Sequence, residues 1–287
     1  MNVLNTIICD DVLAGFAKIP DESVELVFSS PPYNVNLVGY KNRNDNDPYS
    51  VYLLWLKDIM IQSKRVLKSG GRLVINIDAM TNRQEDSDKE YVRPIYADIV
   101  NIGREIGLLF RAEFCWYKQN VVGRKTAWGS YQSCSNPICR RNHEYVLVWS
   151  KDSWKLDGDS ELSDMTAAEF QNWTISTWFI PPETRNLNNH PAPFPEELAN
   201  RVIKLFSYRG NTVLDPFMGT GTTGFVAKCC GRNFIGIDNS LSDVEYARNR
   251  INSVDNIFGN SYVPRSERMK IEKELKVEDS ENIIEYN

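Results

Sequence analysis

The sequence predicts an α/β protein built on a doubly wound, mostly parallel sheet of seven strands, with an antiparallel hairpin at one edge and a small inserted region. Three observations carry this expectation. Short runs of apolar and β-branched residues alternate with amphipathic helical stretches along most of the chain. Two of those runs, "FRAEFCWYK" and "NHEYVLVWSK", have too little helix between them for a parallel crossover, so they read as antiparallel. In the C-terminal third, "NTVLDPF", "MGTGTTGFVAKCCG" and "NFIGIDNS" read as strand, glycine-rich turn leading into a helix, and strand.

"NTIIC" (Asn5 to Cys9) is the first strand and "VELVFS" (Val24 to Ser29) the second, with Leu13, Phe16 and Ile19 spaced for one buried helical face between them. After the polar loop "GYKNRNDNDPYS", the stretch "VYLLWLKDIMIQSKRVLKSGG" reads as a helix stopped by Gly70 and Gly71. "RLVINI" is the third strand. "DKEYVRPIYADIVNIGREIG" is a further helix, followed by the antiparallel pair. From Asp152 to Arg185 the chain is acidic, irregular and rich in tryptophan. "FPEELANRVIKLFS" is a helix with proline near its start, a favoured position. The tail from Pro264 is charged and reads as a surface helix or a frayed end. Trp116 and Trp149 lie on strands and read as core.

The 287 residues, 42% apolar and 25% charged, suit one large domain or one domain with a small insertion. No apolar run approaches the ~20 residues that cross a bilayer, and the start has neither the basic region nor the cleavage site of a signal peptide. A soluble, reduced, cytoplasmic protein is expected. The six cysteines are scattered; Cys134, Cys139 and His143 come nearest to a metal spacing but lack the second ligand pair, so no metal is expected. The net charge of −5 argues weakly against nucleic acid, yet between Arg104 and Lys151 eight basic residues face three acidic ones. That stretch reads either as mixed surface or as one basic face on an acidic body.

Two motifs carry chemistry. In "LDPFMGTGTTGFVA", Gly219 and Gly221 make a tight turn between a buried strand and a helix whose free N–H groups can face an anionic group. Asp238, ending the next strand, is placed to accept hydrogen bonds from a ribose diol. No G-K-[ST] follows, which disfavours a triphosphate loop. In "SSPPYN", two prolines end a buried strand that they cannot continue. By itself such a turn can be purely structural, with a packing tyrosine.

Together the motifs resemble the S-adenosylmethionine-dependent amino-methyltransferases of DNA, the N4-cytosine/N6-adenine family with its Rossmann-like class I fold. "SSPPYN" matches the catalytic turn and "DPFMGTGTT" the cofactor loop; "PDESVELVF", "RVLKSGGRLVINI", "NHEYVLVWSK" and "HPAPFPEELANRVI" match in the same order, from about Cys9 to Arg250. The catalytic turn precedes the cofactor strand, as in the permuted β-group. The resemblance implies catalytic roles for Ser30, Pro31, Pro32 and Tyr33: Ser30 and the Pro31 carbonyl accept from the exocyclic amine, and Tyr33 stacks on a base flipped out of double-stranded DNA. It implies cofactor contacts from Asp11 (with Asp10 as a rival), Asp215, Phe217, Gly219, Gly221, Thr222 and Asp238. His190 lies in the segment that packs over the cofactor. The resemblance further implies residues 1–118 as the catalytic half, 119–185 as edge strand plus candidate recognition segments, 186–262 as the cofactor half and 263–287 as a charged tail. Arg124, Lys125, Tyr131, Arg140 and Arg141 are the candidate nucleic-acid contacts, with a surface loop whose arginines pair with nearby acids as the plainer reading.

A serine hydroxyl can donate or accept, and adenine offers the same edge as cytosine, so the residues leave the base open. The family association of Ser-Pro-Pro-Tyr is with cytosine N4. Adenine N6 is the alternative; an RNA or protein-glutamine methyltransferase and a catalytically silent nucleic-acid-binding module are others. A cognate restriction endonuclease acting on the same site is an expected partner, and the protein is expected as a monomer or homodimer.

Overall fold

The computed structural model describes residues 3–34, 47–78, 80–81, 92–118, 129–137, 139, 141–184, 187–188 and 193–254. Arg124, Lys125, Arg140, His190 and the tail from Pro264 lie outside the described residues. In chain order the elements are β1 (Thr6–Cys9), α1 (Val12–Phe16), β2 (Val24–Ser29), α2 (Tyr49–Val66), β3 (Leu67–Ile77), β4 (Met80–Thr81), β5 (Val92–Arg93), α3 (Ile95–Glu105), β6 (Leu109–Tyr117), β7 (His143–Ser150), α4 (Ala167–Trp173), β8 (Thr177–Phe179), α5 (Glu196–Phe206), β9 (Thr212–Asp215), α6 (Thr222–Cys229), β10 (Asn233–Asp238) and α7 (Leu241–Asn252).

Eight strands form one sheet in the order β1-β10-β9-β2-β3-β7-β6-β8, while β4 and β5 pair separately. Within the sheet, β7 runs antiparallel to both neighbours and every other described pairing is parallel. The doubly wound sheet is as expected, with eight strands rather than seven. The extra strand is β8, inside the stretch expected to be irregular. Its three residues carry no period of their own and are held by pairing with Cys115, Trp116 and Tyr117 of β6. The antiparallel pair is therefore covered on its outer side and does not form the edge.

Alternation along the strands feeds two cores. Leu73, Ile75 and Ile77 of β3 pack under α1, α2 and α3, whereas Val74 faces the opposite core with the apolar sides of α5, α6 and α7. Trp149 is fully buried in the first core and Trp116 is buried in the second. The amphipathic pattern of α2 ends earlier than expected. The helix stops at Val66, and Leu67 pairs at once with Val24 of β2. Gly70, at φ +73, sits where a Cβ would stand 2.0 Å from the Lys155 carbonyl oxygen. The glycines thus serve a close backbone approach within the strand rather than a helix stop. Among the described residues no helix is long and apolar enough to cross a membrane.

The direction of β7 decides where the acidic stretch lies. Arg72 is opposite Ser150, so β7 ends at the N-terminal edge of the parallel strands. The chain after it is tied there: Arg72 Nη2 donates to the Trp154 carbonyl at 2.9 Å, and the Leu162 carbonyl accepts from the Arg209 N–H at 3.1 Å. Asp164 takes both terminal nitrogens of the buried Arg232 at 2.5 and 2.8 Å. The stretch from Asp152 to Asp164, within the 119–185 region, is thereby held at the edge opposite the strand ends that carry "SSPPYN". Removing one partner of a buried ion pair strands the other. Asp164→Ala is expected to lower unfolding free energy by about 3 kcal/mol, read from urea denaturation.

Candidate active site

β2 and β9 come from opposite halves of the chain but lie side by side in parallel, with Leu26 opposite Val213 and Val27 opposite Leu214. Both motifs therefore leave the sheet at the same edge. The winding also reverses there: β9 leads through α6 to β10 on one side, and β2 leads through α2 to β3 on the other. A crevice outside the carboxyl ends of strands at such a switch point is where open α/β sheets bind ligands.

Asp215 clasps the two motifs. Its Oδ1 accepts from Ser29 Oγ at 2.5 Å and from the Phe217 N–H at 3.0 Å, and its Oδ2 accepts from Thr223 Oγ1 at 2.5 Å. Burial pushes this carboxyl up to about 6, against the lowering effect of those three hydrogen bonds; the nearby charge of Asp238 acts in the same direction as burial. With both oxygens engaged inside the protein, Asp215 shapes the loop from behind.

Gly219 and Gly221 both have positive φ, and Gly221 begins α6 in the left-handed region. A Cβ on Gly221 would lie 2.8 Å from that of Ala247, so neither its backbone angle nor its space admits a side chain without strain. Asp238 Oδ2 accepts from the Gly219 N–H and Oδ1 from the Ser240 N–H, each at 2.8 Å. One carboxylate thus braces the loop and the entry to α7. Thr222 is buried with its hydroxyl 3.1 Å from Arg250 Nη1, so its side chain faces α7. Phe217 packs against Trp55 with ring centroids 5.5 Å apart. At the end of β1, Asp10 is paired with Lys18 at 2.7 Å, whereas Asp11 caps α1 through Oδ1 to the Leu13 N–H at 3.0 Å. Of the two acids Asp11 has the freer carboxylate. This donor set suits S-adenosylmethionine: a glycine loop, a helix N-terminus, an aromatic wall and partly exposed carboxylates.

In the proline turn, the Pro32 carbonyl accepts from Tyr52 Oη at 2.8 Å, while the Pro31 carbonyl meets no donor among the described residues. Asn34 closes the turn at φ 57, a conformation asparagine tolerates better than most residues, and its Nδ2 donates to the Asp47 carbonyl at 2.8 Å. Ser30 Oγ is 2.9 Å from Tyr33 Oη, which donates to Glu144 Oε2 at 3.0 Å. Asn76 Nδ2 donates to Glu144 Oε2 at 2.6 Å and to Tyr33 Oη at 3.1 Å. Lys118 Nζ pairs with Glu144 Oε1. Burial, and then the Glu144 charge, hold the Tyr33 hydroxyl well above its ordinary range. Sequence reasoning missed Asn76, Lys118 and Glu144. A visible signal was an acid opening an otherwise apolar strand in "NHEYVLVWSK".

The loop joining β6 to β7 leaves from the same edge as the proline turn. Within it Tyr131 is exposed, and Arg141 pairs with Asp78 at 3.3 Å. For Arg141 the plainer reading, an arginine held by a nearby acid, fits the geometry. No metal-binding cluster occurs among the described residues.

The family described as DNA methylase, the N6/N4 methyltransferases, matches residues 24–249. The Type II methyltransferase M.MjaVI of Methanocaldococcus jannaschii is 38% identical over 180 residues, 63% of this chain and 87% of that protein. M.BglII of Bacillus subtilis, also a Type II methyltransferase, is 30% identical over 261 residues, covering 85% and 68% of the two chains. Among solved structures, a Thermus thermophilus protein assigned as a DNA modification methylase, in complex with S-adenosylmethionine, aligns with TM-score 0.70 and 28% identity over 87% of this chain and 93% of its own. The PvuII DNA methyltransferase shares the fold, with TM-score 0.66 and 20% identity over 93% and 89%.

The clasp has a pH signature. Asp215 titrates at about 6 when folded against 3.8 for the ordinary group, so the folded state holds the proton more tightly. Its favourable contribution is full below about pH 4 and is lost as pH rises through about 6, a swing of about 2–3 kcal/mol. Asp215→Asn is expected to remove that swing, read as a flatter dependence of urea stability on pH across the same window.

Proposed function

The chain belongs to the DNA methylase family of N6 and N4 methyltransferases, and on that premise we propose that it methylates the N4 amine of a cytosine flipped out of double-stranded DNA. The methyl donor is S-adenosylmethionine, whose sulfonium supplies an electrophilic methyl group. The observation that carries cytosine is Ser30 at the head of the proline turn, where aspartate goes with adenine chemistry in this family.

In this reading Ser30 Oγ and the Pro31 carbonyl accept the two amine hydrogens. That favours a more tetrahedral nitrogen and stabilises the positive charge it develops during attack. The prolines hold that carbonyl in a fixed direction, and Tyr52, by occupying the neighbouring Pro32 carbonyl, keeps the turn in place. Tyr33 stacks on the base. Stacking returns ~1–3 kcal/mol against a flipping cost of a few kcal/mol, so contacts to the DNA backbone must supply the remainder. The basic loop between β6 and β7, with Arg124, Lys125, Tyr131, Arg140 and Arg141, is the proposed source of those contacts. Asp11, Phe217, the Gly219–Gly221 loop and Asp238 are the proposed cradle for S-adenosylmethionine, shaped by Asp215 and Thr222. The similarity to Type II methyltransferases supports a role beside a restriction endonuclease that reads the same site.

The test is incubation with labelled S-adenosylmethionine and mixed genomic DNA, digestion to nucleosides and chromatography against standards. Label is expected in N4-methylcytosine; label in N6-methyladenine would overturn the choice of base and leave the chemistry of the turn intact. Asp238→Ala removes the acceptor of the Gly219 N–H along with the ribose partner. It is expected to weaken S-adenosylmethionine binding about 10-fold to 100-fold by calorimetry, on the scale of losing one charge-assisted hydrogen bond.

A further inference from the structure

We propose that Glu144 is a positioning residue that sets the direction of the hydrogen bonds in the active-site turn and so makes the Ser30 hydroxyl an acceptor toward the substrate amine. The inference rests on the proposed role of Ser30. It is carried by a chain of donors and acceptors that closes in one direction only.

Glu144 is buried on β7 and paired with the Lys118 ammonium, so it stands as a carboxylate, which accepts and cannot donate. Tyr33 Oη lies 3.0 Å from Glu144 Oε2 and has a single proton, which it must give to that oxygen. Asn76 supports this polarity. Its amide nitrogen faces Glu144 at 2.6 Å, since its oxygen there would oppose the carboxylate, and the same nitrogen donates to Tyr33 Oη at 3.1 Å. With its proton spent on Glu144, the tyrosine oxygen can meet Ser30 only as an acceptor. The 2.9 Å contact between Ser30 Oγ and Tyr33 Oη, which taken alone could run either way, therefore has serine as donor. The Asn76 backbone carbonyl is the farther acceptor, at 3.3 Å, and Asn76 Nδ2 stands 3.4 Å from Ser30 Oγ as a weak donor. The shorter bond to Tyr33 therefore governs the serine proton, and one serine lone pair is left for the incoming N–H.

Two consequences follow. A serine so fixed recognises an exocyclic amine by its hydrogen and does not donate to a ring nitrogen. The charge that an aspartate would bring to the first position of the turn is supplied instead from β7 and reaches the site through polarised hydroxyls. Replacing Glu144 by glutamine inverts the chain: the amide oxygen turns to Lys118, the amide nitrogen donates to Tyr33, and Tyr33 then donates to Ser30.

The experiment measures methyl transfer to amplified, unmethylated genomic DNA with tritiated S-adenosylmethionine for wild type, Ser30→Ala, Tyr33→Phe, Glu144→Gln and the Tyr33→Phe/Glu144→Gln double variant. Cofactor affinity by calorimetry and thermal melts are recorded alongside. Tyr33→Phe keeps the stacking ring and the Glu144–Lys118 pair and removes only the linking hydroxyl, so it decides the matter even where Glu144→Gln folds poorly. Each single variant is expected to lower kcat about 10-fold to 100-fold, with cofactor affinity and KM for DNA within about twofold. The double variant is expected to be no slower than the slower single, because both cut one chain. Wild-type kcat in Tyr33→Phe, or losses that multiply in the double variant, would overturn the inference while a slow Ser30→Ala leaves the proposed site standing. Wild-type kcat in Ser30→Ala would instead remove Ser30 from the reaction and the proposed function of the turn with it.

Discussion

The pairing of β2 with β9 is the contact on which the site depends. It brings Ser29 and Asp215, separated by 186 positions, within 2.5 Å, and Asp215 in turn holds Thr223 and the Phe217 N–H. A buried carboxylate is costly unless its lone pairs are filled. Here the filling groups come from both motifs, so the proline turn and the glycine loop cannot drift apart without leaving those lone pairs empty. The winding reverses between these strands, and such a switch point is where open α/β sheets bind ligands.

A second polar cluster lies at the other flank of the proline turn. Glu144, Asn76 and Lys118 come from β7, β3 and the end of β6, three neighbouring strands whose ends meet at the same edge. Glu144 and Asn76 hold Tyr33 by its hydroxyl, and Lys118 pairs with Glu144 behind them. The two clusters differ in what they meet. Asp215 is spent wholly on the protein, whereas the chain from Glu144 ends at Ser30, the residue proposed to meet the substrate amine. Rigidity comes from the first and hydrogen-bond polarity from the second.

The sheet carries this arrangement at modest sequence cost. The parallel strands β1, β10, β9, β2 and β3 are mostly apolar and carry their polar groups chiefly near their ends. Strand β7 reverses direction so that the acidic stretch after it is fastened at the far edge through Arg232 and Asp164. Chain direction alone thus fastens the acidic residues from Asp152 to Asp164 at the edge away from the proline turn.

Long periodic segments and punctuating motifs were legible from the residues. The order of strands and helices, the burial of Trp116 and Trp149, the glycine loop and the proline turn all depend on interactions within a few positions, which local sequence records. What depended on distant partners was not. "TWF" becomes β8 because β6 offers an open edge, and α2 yields to β3 at Leu67 because Val24 lies beside it. Asp10 and Asp11 are equivalent in sequence and become distinct once Lys18 pairs with one of them. Asp238 was recognisable as a strand-end acid but not as the brace of Gly219. The sequence by itself determined the fold class, the methyl donor and the residues of the turn. Tertiary structure alone decided which carboxylate stands behind Ser30, because Glu144 reaches Tyr33 across 111 positions and a contact of that range leaves no period or spacing in the chain.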